Sequence, residues 1–226
     1  MRVPSIRHFR EAVDAIPDPV ASIMVKTMYL TASRVSEVTT KTAPWDLQHK
    51  KTRPYGQFMS CGVEKWRWRE GGREKTEDVL VITGAVARRR AEKNPKEGED
   101  NIVYKAIALP THPYYEPWTI DLMRYVVKHH KKLSFDLTRQ RVWQLVKENL
   151  STLDPTIHTN NLRQYRLAHL RKYGFSPYDF LLYRGWTART GFTRFGLPPE
   201  KRVHLRTAWQ EYFPKLLKPL SDFLYS

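Results

Sequence analysis

The sequence predicts an α+β fold that is mainly helical, with a small antiparallel sheet inserted between the helical parts. Two observations lead to this prediction. Apolar residues recur three and four positions apart near both ends of the chain, which is typical of helices with one buried face. In the middle of the chain polar and apolar residues alternate instead, and Gly71-Gly72 marks a turn between two strands.

The first elements are two helices. Residues 5–16 form a helix capped by Ser5, with one apolar face made by Ile6, Phe9, Val13 and Ile16. Prolines at positions 17 and 19 end it. Residues 20–30 are apolar almost all round, so we expect this second helix to be deeply buried.

Three strands follow, at residues 57–70, 78–87 and 102–109, with a polar, basic loop at 88–98 before the third. Lys65, Arg67 and Arg69 alternate with Trp66 and Trp68 and therefore lie on one face of the sheet. A basic face with aromatic neighbours suits the backbone of a nucleic acid. An ordinary solvated outer face explains each of these residues equally well.

The second half of the chain is predicted to be helical. Residues 117–132 form a helix, and Thr138 caps another at 138–150. Residues 155–161 are expected to be a loop that leads to Arg163. The following segments are a helix from 162 to a glycine cap at Gly174, a short helix begun by Ser176-Pro177, and a last helix at 203–213.

Composition bounds the class of protein. The 226 residues are 41% hydrophobic and 12% aromatic, which is enough for one folded domain spanning 1–226, and we find no linker or repeat that divides it. A net charge of +16 indicates a polyanionic partner, of which nucleic acid is the commonest. The single cysteine, Cys61, excludes an internal disulfide, and no apolar run is long enough for a membrane span. We therefore expect a soluble, cytoplasmic, DNA-associated protein that has no membrane contact.

Residues 162–186 carry the most specific pattern in the chain. Leu162-Arg163, His169-Leu170 and Gly174 are followed eleven residues later by Gly185-Trp186. This segment resembles the second conserved box of the tyrosine recombinases, the phage integrase family. Residues 31–38, Thr-Ala-Ser-Arg-Val-Ser-Glu-Val, resemble the first box of that family, with its arginine at Arg34. The two boxes stand in the family's order, and their style resembles archaeal members and archaeal mobile elements.

The resemblance implies a fold, a reaction and a partner. It implies the catalytic-domain fold of the family, with the small sheet between the two arginine boxes and the N-terminal core-binding domain absent. It implies a site-specific recombinase or integrase that cleaves double-stranded DNA through a 3′-phosphotyrosyl intermediate, without a cofactor or metal. It also implies self-association on DNA, as a dimer or tetramer.

Roles for single residues follow from the resemblance. Arg34 and Arg163 would bind the scissile phosphate, and Trp186 would donate a hydrogen bond or pack opposite it. Lys93 is the nominal candidate for the catalytic lysine of the hairpin. DNA contact is assigned to the strand residues above together with Arg88, Arg89, Arg90 and Arg166.

Two positions depart from the family pattern. Asn160 stands where the family has His or Lys, three residues before the second arginine, and Asn carries no charge; His158 nearby is expected to be an ordinary loop residue. Phe195 stands at the nucleophile position, ten residues after Gly185, where tyrosine is expected. Phe195 is then either an engineered replacement or the natural residue of a non-catalytic DNA-binding relative. A third possibility is that the spacing is shifted and Tyr212 is the nucleophile.

Overall fold

The computed structural model describes residues 3–41, 58–85, 104–129, 133–184 and 209–224. The described chain is mixed α+β, about half helical, with one three-stranded antiparallel sheet. The coarse fold class predicted from the sequence is confirmed.

The N-terminal part contains three helices, α1 (Ile6–Asp14), α2 (Pro19–Leu30) and α3 (Val35–Val38). The Ser5 side chain accepts a hydrogen bond from the backbone N–H of His8 and so caps α1. All four apolar residues of the predicted face of α1 are buried. Helix α2 lies in the centre of the helical part and packs against α1 and four later helices.

The sheet has the strand order β1 (Phe58–Glu70), β2 (Arg73–Ala85), β3 (Tyr104–Pro110). Gly71 and Gly72 join β1 to β2 with φ angles of 56° and 77°, a conformation that favours glycine at both positions of a two-residue hairpin turn. Strand β3 pairs with the second half of β2 only, from Val79 to Ala85. The first half of the hairpin is therefore a two-stranded arm beyond the three-stranded sheet.

The remaining described elements are helical. In chain order they are α4 (Trp118–Lys128), α5 (Arg139–Leu150), α6 (Thr159–Lys172), α7 (Pro177–Tyr183), α8 (Trp209–Tyr212), a 3-10 turn at Phe213–Leu216 and α9 (Ser221–Leu224). Thr138 caps α5, Ser176 caps α7, and Gly174 ends the α6 region with φ 84°, as predicted. None of the helices in the described ranges is long and apolar enough to cross a membrane.

Several boundaries differ from the prediction. Helix α4, predicted to reach residue 132, ends at Lys128. Strand β2 begins at Arg73, because a two-residue turn lets the strands pair directly from Glu70 and Arg73, although residues 73–78 are polar. Residues 155–161 are not all loop, since α6 begins at Thr159. The side chain of His158 accepts a hydrogen bond from the backbone N–H of Asn160, 3.3 Å away, and thereby caps the helix. As a result Arg163 lies in the second turn of a helix instead of at its start.

Candidate anion-binding site

Arg34 lies in a tight corner between α2 and α3. The corner contains Ala32 with φ 46°, a left-handed conformation that is unfavourable for residues other than glycine. Glu37 closes the corner from the other side. Its Oε2 atom accepts a hydrogen bond from the backbone N–H of Arg34 at 3.2 Å, and its Oε1 atom lies 3.7 Å from Nη1 of the same arginine. The carboxylate thus holds both the backbone and the guanidinium of Arg34.

Lys105, near the start of β3, reaches the same corner from the sheet. Its side chain is 1% exposed, and Nζ donates hydrogen bonds to the carbonyl oxygen of Thr31 at 3.1 Å, Oγ of Ser33 at 3.0 Å and Oε2 of Glu37 at 2.9 Å. Burial raises the pKa of Glu37, but Lys105, the charge of Arg163 and the backbone N–H of Arg34 outweigh it and hold that pKa below its usual range. Glu37 is therefore a buried carboxylate, ionised at neutral pH.

Arg163 lies close to this corner, on α6. The residue is 3% exposed, and within the described ranges its Nε and Nη2 atoms have no hydrogen-bond partner. Burial, together with the charges of Arg184 and Arg34, lowers its pKa to about 10, while Glu37 acts in the opposite direction. Buried donors without partners are rare in folded proteins and need a reason. An anion bound between the arginines would satisfy them.

Arg184 brings a third guanidinium to the group. It follows the last residue of α7, and burial together with the charge of Arg34 lowers its pKa. Tyr183, the residue before it, donates its hydroxyl hydrogen to the carbonyl oxygen of Leu30 at the end of α2. This bond joins the end of α7 to the corner that carries Arg34. Arg34, Arg163 and Arg184 thus lie within electrostatic reach of one another although they come from three distant parts of the chain.

The position of Arg166 does not fit the DNA contact predicted for it. It was expected to contact DNA, but it is 3% exposed and packed inside the helical part. Its Nε donates to the hydroxyl of Tyr183 at 3.3 Å, its Nη1 lies 3.8 Å from Oε2 of Glu116, and its guanidinium lies over the ring of Tyr29. Arg10 binds the same carboxylate, with Nη2 2.5 Å from Oε1. Arg166 therefore belongs to a buried ion network and has no surface to offer to a nucleic acid.

The basic residues of β1 are exposed on one face, as their alternation predicts. Two of them stand opposite acidic residues of β2: Lys65 pairs with Asp78, and Arg69 pairs with Glu74, while Arg67 faces Thr76. Cross-strand neighbours of opposite charge attract each other. This face of the hairpin is consequently less basic than the sequence of β1 alone suggests, and DNA contact by these three residues stays a prediction.

The other predicted site residues divide into two groups. Asn160 is exposed in the first turn of α6, one helical turn before Arg163. Lys93, Trp186, Phe195 and the basic residues Arg88, Arg89 and Arg90 lie outside the described residues. Tyr212, the alternative nucleophile, is fully buried, and its hydroxyl accepts a hydrogen bond from the backbone N–H of Ala108 at 3.2 Å and donates to the carbonyl oxygen of Ala106 at 3.4 Å. In this position Tyr212 is a packing residue that joins α8 to β3.

The sequence prediction missed Lys105 and Arg184. Lys105 is the one charged residue in the apolar segment 104–109, and a lone lysine in a buried strand must find a carboxylate; this was the available signal. Arg184 carries no such signal, because nothing in its neighbourhood distinguishes it from other surface arginines.

No family model, no curated protein and no solved structure matches this chain. In the part of the chain that the structure describes, no group of three or more His, Cys, Asp or Glu side chains is placed to hold a metal ion. The chemistry of the site is therefore set out from its own residues. Guanidinium groups bind oxyanions through paired N–H donors, and a phosphate has the oxygens to receive them.

Proposed function

We propose that this protein is a DNA-binding domain of the tyrosine-recombinase type, in which Arg34 and Arg163 bind one phosphate of double-stranded DNA. The observation that carries the proposal is the guanidinium of Arg163: it is buried within electrostatic reach of two other arginines, and two of its nitrogen atoms lack a partner among the described residues. Holding such a group without a ligand is unfavourable, so its presence points to an anion. The excess of positive charge in the whole chain supports a polyanion.

In the family, a tyrosine oxygen attacks the phosphorus, an O–P bond forms, and the bond to the 5′ oxygen breaks. The 5′ oxygen takes up a proton as it leaves, and two arginines stabilise the negative charge that the phosphate develops. In this chain Arg34 and Arg163 would supply that stabilisation. Phe195, at the expected nucleophile position, has no oxygen with which to attack. We therefore propose that the chain as it stands binds DNA and does not cleave it through residue 195.

A second candidate is a non-catalytic DNA-binding protein in which phenylalanine is the natural residue and the other parts of the reaction are missing. The exposed, uncharged Asn160 one turn before Arg163 favours this candidate, because it cannot serve as a strong acid or base. The two candidates share the phosphate site and differ in whether a tyrosine at position 195 restores cleavage.

The test uses Phe195→Tyr, with Phe192→Tyr as a matched control that adds the same hydroxyl three residues earlier in the sequence. Each protein is incubated with a pool of nicked duplexes of randomised sequence, because the target site is unknown. Covalent adducts are then detected on a denaturing gel. An adduct with Phe195→Tyr that is absent from the Phe192→Tyr control and abolished by adding Arg163→Gln supports a recombinase site.

The remaining outcomes are equally decisive. Binding of the pool by the unaltered chain, Phe195→Tyr and Phe192→Tyr, with no adduct from any of them, supports the non-catalytic protein. An adduct with the unaltered chain would place the nucleophile elsewhere and overturn the role of Phe195. Unchanged DNA affinity in Arg163→Gln would overturn the phosphate site itself.

A further inference from the structure

We propose that Lys105 is a positioning residue, which fixes Arg34 for anion binding without touching the anion. This inference rests on the phosphate site proposed above. Lys105 holds the corner of Arg34 by three hydrogen bonds, to the Thr31 carbonyl, the Ser33 hydroxyl and the Glu37 carboxylate. A lysine ammonium has three N–H donors, and all three have an acceptor here.

The placement of these bonds shows what they do to the backbone. Two of the acceptors, on Thr31 and Ser33, belong to the residues on either side of Ala32, whose positive φ is unfavourable for alanine. A residue in such a conformation persists when its surroundings hold it there. The hydroxyls of Thr31 and Ser33 also share a hydrogen bond of 2.5 Å, and Thr31 Oγ1 bonds to the carbonyl oxygen of Thr27 at 2.6 Å. Lys105 thus ties the strained turn to the sheet.

The third bond acts on the guanidinium. Oε2 of Glu37 accepts from both Nζ of Lys105 and the backbone N–H of Arg34, so the lysine determines where the carboxylate stands. The carboxylate in turn lies within 3.7 Å of Nη1 of Arg34. Without the ammonium, the carboxylate that holds the backbone and the guanidinium of Arg34 would lose the bond that fixes its position.

Lys105 is not itself placed to meet a ligand. The side chain is 1% exposed, its donors point at the corner, and burial lowers its pKa while Glu37 opposes that effect. Its action on an anion must therefore pass through Arg34 and Glu37. This distinguishes it from Arg34, whose side chain is 40% exposed.

The experiment measures the rise in Tm caused by inorganic phosphate at constant ionic strength, since a ligand that binds the folded state stabilises it. Phosphate also stabilises proteins in general, so each response is compared with that of Arg163→Gln, which lacks the site. The unaltered chain should respond more than Arg163→Gln. Lys105→Met should respond no more than Arg163→Gln, with phosphate affinity reduced by about 10- to 100-fold, the effect seen when outer hydrogen bonds that orient metal ligands are removed.

Two further variants separate positioning from stability and from net charge. Lys26→Met is the matched control: Lys26 is also buried and bonded to carboxylates, at 2.9 Å from Asp14 and 2.8 Å from Asp121, and neither carboxylate belongs to the corner of Arg34. It should lose stability and keep the phosphate response. The double variant with Lys105→Met and Glu37→Gln removes one charge of each sign. It avoids a lone buried carboxylate, should fold if Lys105→Met alone does not, and should still lack the response.

The outcomes identify which proposal fails. A normal phosphate response in the double variant, or an equal loss in Lys26→Met, would overturn the positioning role of Lys105 while leaving the anion site intact. An unaltered chain that responds no more than Arg163→Gln would overturn the anion site and the role of Lys105 together.

Discussion

Arg163 and Arg166 lie one turn apart on α6, are equally buried, and experience opposite electrostatic surroundings. Burial and the charges of Arg184 and Arg34 lower the pKa of Arg163 to about 10. Burial also acts to lower the pKa of Arg166, but Tyr183, Tyr29 and Glu116 outweigh it and raise that pKa. Arg163 is therefore a buried cation with unsatisfied hydrogen-bond donors, whereas Arg166 is part of a buried ion network.

Replacing Arg163 by methionine should stabilise the protein. The substitution removes a buried charge that is repelled by two neighbours and keeps an apolar side chain of similar length. We expect the free energy of unfolding to rise by up to roughly 1–4 kcal/mol, the range found when buried ionic groups are replaced by packed apolar ones. Urea unfolding measures this, and the exposed Arg171→Met is the control that should change little. A clear loss of stability in Arg163→Met would contradict an unsatisfied guanidinium.

Replacing Arg166 by methionine should have the opposite effect. It leaves the carboxylate of Glu116 with one partner fewer and the hydroxyl of Tyr183 without its donor. Breaking a buried ion pair in this way costs about 3–5 kcal/mol. Thermal unfolding should show a large fall in Tm. If Arg166→Met were as stable as the unaltered chain and bound DNA less well, the assignment of Arg166 to the core would be wrong.

DNA binding should depend on salt through Arg34. A cation that contacts a phosphate releases counterions, and losing one such contact reduces the slope of log affinity against log salt by about 0.9. We expect this reduction in Arg34→Gln with a mixed-sequence duplex, measured by fluorescence anisotropy over a salt series. Arg124→Gln removes a cation of α4 whose side chain is 79% exposed, and its slope should stay unchanged. Equal slopes for both variants would show that Arg34 meets no phosphate.

Acid should destabilise the protein through His169. Its Nδ1 accepts from the hydroxyl of Tyr29 and its Nε2–H donates to the carbonyl oxygen of Pro4, each at 2.8 Å, so the buried ring is neutral. Burial lowers the pKa of His169 to about 4, and the charges of Arg166, Lys172 and Arg10 act in the same direction. The hydrogen bond to the Pro4 carbonyl opposes this shift. The unfolded chain therefore binds the proton more tightly than the folded chain does. The stability that the neutral His169 ring contributes is complete above pH 6.5 and is lost as the pH falls towards 4.

The size of the effect is about 3 kcal/mol between those two pH values. Unfolding by urea at a series of pH values measures it in the unaltered chain and in His169→Gln, whose amide accepts and donates without titrating. The variant should be less dependent on pH across this interval. Parallel curves for the two proteins would exclude His169 as the responsible group.

The elements with local signals could be predicted from the sequence. Ser5, Thr138 and Ser176 cap helices, and Gly71-Gly72 forms the turn, because each of these choices depends on a few neighbouring residues. The apolar faces were equally visible, since burial follows the helical repeat. Boundaries in polar segments, such as the start of β2, were not.

The site could be predicted only in part. Arg34 and Arg163 were found through the two boxes, but the partners of a charged side chain lie far away in the chain. Arg166 differs from Arg163 because Glu116 approaches it, and no pattern within α6 records that contact. Lys105 depends in the same way on Glu37, which belongs to another part of the fold.

The unequal exposure of the two guanidinium groups has a kinetic consequence. An anion that approaches from solvent meets Arg34 first, and an exposed charge mainly affects how fast partners associate. Arg163, at 3% exposure, is reached only after water has been displaced, and interactions of that kind mainly determine how long a complex lasts. The rate of capture and the residence time of a bound phosphate would thus be controlled by different arginines.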